Sequence, residues 1–326
     1  MLSKIIMTIK KFGFIYTLFY TLQKKGLINE LPVIFLIKRE KYYKNLSLDK
    51  QKKELAAFYK KAIGSEPNID FPKTFTEKIQ WLKFYDSTKQ KAEFSDKYLA
   101  PKLIQKSFGD RIKIIPQLGV WNNADDIDFD SLPQKFVLKC NHGSAMNIIV
   151  KDKSKLNIKK TRKQLNNWLK LDYAYVNGMY ENHYTFIDRK IIAEQFIEEM
   201  DGNLHDYKFH CFMGEPKIIE FIGDRLSNTH TIHSSIYTAD WIKADISFNS
   251  DTPYTQDFSR PEKLPQMIAL ARDMAKPYAY VRVDFYYINN EIYFGELTFT
   301  PDSGIIKFNK ENVDSDWGAW ITLPNK

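Results

Sequence analysis

The chain reads as an α+β protein whose antiparallel hairpins are separated by amphipathic helices. Three observations carry this reading. Runs rich in aromatic and β-branched residues come in pairs joined by short turn signals, as at Asn289-Asn290 and Gly214-Glu215. Stretches with apolar residues at helical spacing stand between them, such as Leu264, Ile268, Ala271 and Ala275 behind Pro261. The 326 residues suffice for a large buried core divided into two or three lobes.

The pair of runs from Val281 to Gly304, VRVDFYYINNEIYFGELTFTPDSG, organises the rest. Side chains alternate along a strand, so Arg282, Asp284 and Tyr286 share one face, and Glu296 and Thr298 share one face of the partner. A two-residue loop at Asn289-Asn290 would set Asp284 opposite Gly295, whereas a three-residue loop returns Glu296 to Asp284. The three-residue loop is expected. Two carboxylates at the edge of an apolar sheet repel each other and resist desolvation unless a cation lies between them. Hard oxygen ligands beside an arginine suggest magnesium holding a polyphosphate.

Taken from the start, residues 1–70 form a basic, helical N-terminal region. Phe14, Ile15, Leu18, Phe19 and Leu22 recur at helical spacing, and a second apolar run follows from Leu31 to Ile37. Both fall short of the ~20 apolar residues of a spanning helix, and lysines interrupt them, which also disfavours a secretory signal. Two alternatives stand: an interfacial helix on an anionic leaflet, or a helical layer packed on the main body.

Thr74 or Thr76 caps a helix through Ile79, Leu82 and Phe84. A second short helix is expected to open at Ser95-Asp96, with Lys97 in its first turn. After an extended piece from Ile112 to Val120 and an acidic loop, Phe136 to Lys139 and Asn147 to Val150 read as paired strands around Asn141-His142-Gly143-Ser144-Ala145. Such a loop can offer N–H groups and a hydroxyl to phosphate oxygens while Lys139 supplies a point charge, and an ordinary hairpin is the alternative. Ile158, Leu165, Trp168 and Leu169 mark a helix. Lys190 to Phe196 is a buried-type strand, and DYKFHCFMGEPKIIEFIGDR a further hairpin with Asp206, Lys208 and Arg225 toward its outer ends. Tyr173 to Tyr184 and Leu226 to Thr252 show the least pattern and are expected to be mobile or substrate-facing loops.

Composition bounds the function. A net charge of +8 favours anionic partners, while the lysines are scattered and form no aromatic-basic platform, which disfavours nucleic acid. Only Cys140 and Cys211 occur, so no disulfide framework is expected and a reducing cytoplasm suits the chain, with Cys140 read as a small buried filler. No Ser-His or Cys-His arrangement stands out.

In order, a lysine at a helix start, a lysine before a Gly-Ser loop, a strand-borne Glu, Arg-x-Asp and Glu-x-Thr resemble the ATP-grasp superfamily. More closely, the chain resembles the TupA-like ATP-grasp proteins of bacterial surface-polysaccharide gene clusters. The stretches that carry the likeness are TFTEKIQWLKFYD, SDKY, GVW, DDIDFDSLP, FVLKCNHGS, KDKSKL, IIAEQ, DYKFHCF, VRVDFY, EIYFGELTF and SGIIKFN, spread from Phe71 to Leu323. Ala145 stands where the family's loop usually has a second glycine, Thr298 where an asparagine is common, and Asp302 is untypical.

The resemblance implies an ATP-grasp fold that holds ATP between two antiparallel-sheet lobes: an N-terminal lobe at 71–130, a lid subdomain at 131–197 and a C-terminal subdomain at 198–326. Under it, Lys97 and Lys139 contact phosphates and Gly143-Ser144 close over them. Glu194, Gln195, Phe196 and Ile197 line the adenine and ribose pocket. Asp284, Glu296 and Thr298 hold Mg²⁺, Arg282 steadies the transferring phosphoryl group, and Lys208 and Arg225 face an acidic substrate. The expected activity is a cytoplasmic, ATP-dependent carboxylate–amine ligase that joins an amino acid or other amine to a sugar acid of a surface glycan. The positive surface would help to hold that anionic glycan or its lipid-linked precursor near the membrane. The rival is a glycosyltransferase with Asp125, Asp126 and Asp128 as its metal site.

Overall fold

The structure is a computed structural model that describes residues 2–27, 31–197, 204–223 and 233–325. Four helices, α1 (Leu2–Phe12), α2 (Phe14–Lys24), α3 (Val33–Lys44) and α4 (Leu48–Ile63), form an N-terminal layer. Their buried Phe12, Tyr16, Tyr43 and Leu55 pack with Ile69 and Tyr180 of the main body. Tyr180 is fully buried and meets Tyr43 edge-on. The layer therefore packs on the body, one of the two alternatives left open by the sequence.

Its socket is the stretch from Tyr173 to Tyr184, which was expected to be loose. A short helix, α9 (Tyr173–Val176), and a 3-10 turn, Asn182–Phe186, hold it instead. The sequence lacks periodicity there because the segment is ordered by aromatic contacts to other elements and not by its own repeat. The expectation for Leu226 to Thr252 fails in part, since His233–Thr238 is a strand of the large sheet, and residues 226–232 lie outside the described ones.

Next come α5 (Phe75–Tyr85), α6 (Lys89–Ser95) and α7 (Ala100–Phe108). A capping box between Thr74 and Glu77 starts α5, as its Thr-x-x-Glu spacing predicts. Lys97 does not lie in the first turn of a helix. It sits in the bend between α6 and α7, where Asp96 Oδ1 accepts from the N–H groups of Tyr98 at 2.8 Å and Leu99 at 3.3 Å. That Asx turn breaks the helix and aims Lys97 out of it.

Two sheets carry the rest. The smaller has the order β1-β4-β2-β3, with β1 (Gln117–Trp121), β2 (Phe136–Cys140), β3 (Asn147–Val150) and β4 (Ile191–Gln195). Pairing of β1 with β4 crosses residue 130, where one domain boundary was expected. One face, with Phe136, Leu138, Ile191 and Ala193, packs on α8 (Ile158–Leu169). The larger sheet runs β10-β9-β5-β6-β7-β8, built from β5 (His205–Phe212), β6 (Glu215–Ile222), β7 (His233–Thr238), β8 (Thr252–Pro253), β9 (Tyr280–Ile288) and β10 (Glu291–Thr298). Phe209, Val281, Val283, Phe285 and Leu297 bury one face under α10 (Leu264–Ala275). At one end of the other face, Phe212 and Tyr280 meet α5 and Trp317 of α11 (Glu311–Ala319).

The β9–β10 turn corrects the sequence reading in its mechanism and not in its result. Asn289 and Asn290 both have positive φ and make a two-residue turn, with Ile288 opposite Glu291. That register would leave Asp284 facing Gly295. A β-bulge at Gly295 adds the missing residue, and beyond it Glu296 stands opposite Asp284 and Thr298 opposite Arg282. The bulge admits glycine alone without adjustment, because a Cβ there would lie 2.8 Å from the carbonyl oxygen of Asp284. Gly295→Ala is expected to lower stability by about 1–3 kcal/mol, as overpacking does. An unchanged urea midpoint would show that the bulge tolerates a methyl group.

Candidate active site

A cleft of ≈ 230 Å³ lies between the two sheets. Lys139, Val137 and Glu194 of the small sheet line one wall, and Asp284, Tyr286 and Glu296 of the large sheet line the other. Lys97 and Ser144 edge it, and Ile115, Met146, Ile149 and Leu204 make it partly apolar. Period-2 alternation explains the small-sheet wall: Val137 and Lys139 share the face opposite the one that packs on α8.

The large-sheet wall is a row of charges. Adjacent strands place Glu296, Asp284, Lys208 and Glu220 side by side across β10, β9, β5 and β6. Arg282 and Asp284 are both buried, at 8% and 4% exposure. Arg282 donates from Nε to Asp284 Oδ1 at 2.8 Å and from Nη2 to Oδ2 at 2.7 Å. Burial pushes the Asp284 carboxyl up to about 6 against the opposing pull of Arg282. Glu296 lies 3.3 Å from Lys97 Nζ and 3.6 Å from Arg282 Nη2. Thr298 Oγ1 donates to Glu296 Oε1 at 3.2 Å and accepts from Arg282 Nη2 at 3.3 Å.

Behind this pair, Lys208 Nζ lies 3.5 Å from Glu220 Oε1, and His210 Nε2 lies 3.6 Å from Glu220 Oε2. Burial alone would raise the Glu220 carboxyl, but Lys208, His210 and Arg282 outweigh it and hold it well below the usual carboxylate range. Lys208 is thus tied into the sheet face beside Asp284. Arg225 falls outside the described residues.

On the opposite wall Lys139 is salt-bridged to Glu194. Of the four residues expected to form a nucleotide pocket, only Glu194 lines the cleft. Gln195 alternates onto the other face, Phe196 is buried with Lys135 over its ring, and Ile197 is half-buried beyond the strand. Gly143 packs against Tyr173, whose ring would stand 2.5 Å from a Cβ there, while Ser144 is exposed at the cleft. Asn141, not singled out from the sequence, joins this loop to the Lys97 bend: its Nδ2 donates to Asp96 Oδ1 at 2.8 Å and its carbonyl accepts from the Lys97 N–H at 3.2 Å. Asp125, Asp126 and Asp128 do not line the cleft, and Asp125 meets Asn123 and Asn166 instead. Burial pushes the Cys140 thiol up to about 12, which suits a filler.

A family model described as TupA-like ATPgrasp matches residues 77–322. The chain belongs to the TupA-like ATP-grasp family. The family's name carries ATP, and the resemblance read from the sequence implies Mg²⁺ with it. Among solved structures, D-alanine–D-alanine ligase from Bacillus anthracis is similar at 19% identity and a TM-score of 0.39, over 64% of this chain and 57% of that one. The same enzyme from Helicobacter pylori gives 17% identity and 0.39, over 77% and 69%. L-amino acid ligase from Bacillus licheniformis gives 12% and 0.42, over 71% and 50%. The chain thus spans a little over half the length of the Bacillus anthracis enzyme it matches. A search of curated proteins gave no match.

The donor set suits such a metal. Among the described residues no group of three or more His, Cys, Asp or Glu could hold an ion alone. Mg²⁺ characteristically takes one or two carboxylates and completes its octahedron with phosphate oxygens and water, which is what Asp284 and Glu296 leave room for.

A further acid that sequence patterns missed holds the end of β10. Thr300 to Gly304 turns sharply, with Asp302, Ser303 and Gly304 all at positive φ. Fully buried Glu181 accepts from the hydroxyls of Thr300 and Ser303, and Gln80 Nε2 donates to the Gly304 carbonyl at 2.7 Å. Burial lowers the Lys83 ammonium to about 8 and raises Glu181, each countered by the other's charge. The signal was the untypical PDSG turn itself, but its partner lies more than a hundred residues away. Glu181→Ala removes the acceptor of the Thr300 and Ser303 hydroxyls and is expected to cost about 1–3 kcal/mol in urea unfolding. A loss below about 1 kcal/mol would mean that the turn holds itself.

Proposed function

We propose that this chain activates a carboxylate with ATP and joins it to an amine, the carboxylate belonging to a uronic acid of a bacterial surface glycan. The observation that carries the reading is Glu296 brought opposite Asp284 at a cleft flanked by Lys97 and Lys139. Family membership supports the ATP-dependent class, and the resemblance read from the sequence supports the substrate.

In this reading Asp284 and Glu296 hold Mg²⁺. The ion supplies charge neutralisation and a template for the phosphates. Lys139 exchanges Glu194 for phosphate oxygens, Lys97 exchanges Glu296, and Ser144 adds a hydroxyl. Val137, Met146 and Ile149 offer an apolar surface to the base. Arg282 keeps Asp284 oriented and ionised, and with Thr298 it fixes Glu296. Lys208 balances the row and draws an acidic substrate toward it.

A carboxylate oxygen attacks the γ-phosphorus, the bond to the bridging oxygen breaks, and ADP leaves. The amine nitrogen then attacks the acyl carbon, the acyl carbon–oxygen bond breaks, and phosphate leaves while the nitrogen loses a proton. Neither step needs a nucleophilic side chain. The protein positions oxygens and offsets their charge. Because ATP is consumed, the reaction belongs on the cytoplasmic face of the membrane.

Purified protein is expected to release ADP and phosphate only when ATP, Mg²⁺, a uronate and an amine are all present. Glu296→Gln should abolish that turnover and leave the thermal melt unchanged, since the Glu296 side chain is 39% exposed. Sugar transfer without ATP would sink the proposal.

The pH dependence follows from Asp284. Its carboxyl is pushed up to about 6, so it is ionised above that pH and protonated below it. A protonated acid ligates metal poorly. Affinity for ATP·Mg²⁺ by calorimetry should therefore fall roughly tenfold from about pH 7.5 to pH 5. The Asp284→Asn variant reports the nucleotide's own titration and serves as the baseline. Equal pH profiles for the two proteins would remove Asp284 from the metal site.

A further inference from the structure

Nearly all of the chain's net positive charge lies in its first helices. Residues 1–45 hold nine Lys and Arg against two Glu, a net of +7 out of +8 for the whole protein. The lobes that form the cleft are close to neutral. The net charge therefore sits in the N-terminal layer and not in the lobes that line the cleft. The family match begins only at residue 77, so this charge belongs to a part of the chain that the match does not reach.

The same region exposes its apolar side chains. On α2, Tyr16 and Thr17 are buried against the layer. Phe14, Ile15 and Leu18 project the other way, at 69%, 62% and 48% exposure. Helical spacing sets these three on one arc of about 100°. Leu27 and Ile34 are exposed nearby in sequence, at 66% and 62%. No acidic residue occurs between Phe14 and Leu27. Lysines frame the arc at both ends: Lys10 is exposed before it, Lys24 and Lys25 after it. Lys38 Nζ stands 3.3 Å from the position a Cβ would take at Gly13, the residue that opens α2.

A helix of 11 residues is about 16 Å long, and no described helix is long and apolar enough to cross a membrane. An apolar arc of this length, edged by cations, fits the boundary between headgroups and acyl chains, with the helix lying in the plane of the surface. The framing charge is complementary to anionic headgroups, which selects a bilayer over an uncharged protein face.

We propose that the outer face of α2, with Lys10, Lys24, Lys25 and Lys38, docks the protein on an anionic membrane surface. The N-terminal layer rests on the segment around Tyr180, next to Glu181 and the turn after β10. A docked chain is thus held at the bilayer, where an acceptor on a lipid carrier would be presented. Docking is independent of the ligase reading and is measured without nucleotide.

The test is co-sedimentation of the full chain with vesicles of equal parts phosphatidylglycerol and phosphatidylcholine, and with phosphatidylcholine alone. Binding is expected to the anionic vesicles at low ionic strength, weaker by at least about tenfold on the neutral ones, and reduced by salt. Phe14→Ser/Ile15→Ser/Leu18→Ser should abolish it. The quadruple Lys→Gln variant at positions 10, 24, 25 and 38, which leaves the apolar packing untouched, should weaken it at least about tenfold. Wild-type protein left in the supernatant with anionic vesicles overturns the proposal. So does either variant binding like the wild type, or a wild-type dimer in size exclusion that the triple variant splits while neither protein binds vesicles.

Discussion

The structure depends on burying Arg282 with Asp284. A charged side chain taken out of water is tolerated only beside an opposite charge with its hydrogen bonds met, and two parallel contacts meet them here. That requirement propagates. Asp284 needs cations on both sides, so Lys208 stands beside it on β5 and Arg282 holds its oxygens. Lys208 and His210 in turn require Glu220 on β6. The sheet face is an alternating lattice of charge whose open edge is Glu296. There an acid faces the cleft beside Lys97, a cation that a ligand could draw away.

The surroundings serve that lattice. Beneath it the apolar face on α10 supplies a rigid floor, and aromatic packing around Phe75, Phe212, Tyr280 and Trp317 closes one end. Lys97 and Lys139 approach from different elements, each paired with a glutamate. Such pairs keep cationic side chains ordered and available, because a polyphosphate of higher charge density can replace the carboxylate. Glu181 and Gln80 fix the turn after β10 and thereby the strand that carries Glu296. The N-terminal layer, through Tyr43 and Tyr180, rests on the same segment as Glu181.

Much of the site was legible because strands alternate. That rule put Arg282 with Asp284 and Glu296 with Thr298 from the sequence alone, and it placed Lys139 at a strand end before the Gly-Ser loop. By the same rule the Gln195 side chain faces away from that of Glu194. The loop between β9 and β10 was misjudged for a different reason. Turn length and bulge position give the same final register, and only the backbone distinguishes them. Apolar spacing continues past Lys97 and predicts a helix there, whereas Asp96 interrupts the hydrogen bonds locally.

Local chemistry was thus decided by the amino-acid order: element types, the two faces of each strand, the caps, and the acids and cations available. Their meeting was a matter of tertiary structure. Lys97 and Glu296 are 199 positions apart, and Thr300 and Glu181 are 119 apart. Periodicity is a property of neighbouring residues. Burial, the bulge that aligns two carboxylates, and the desolvation that shifts their proton affinity arise only when distant segments exclude water together.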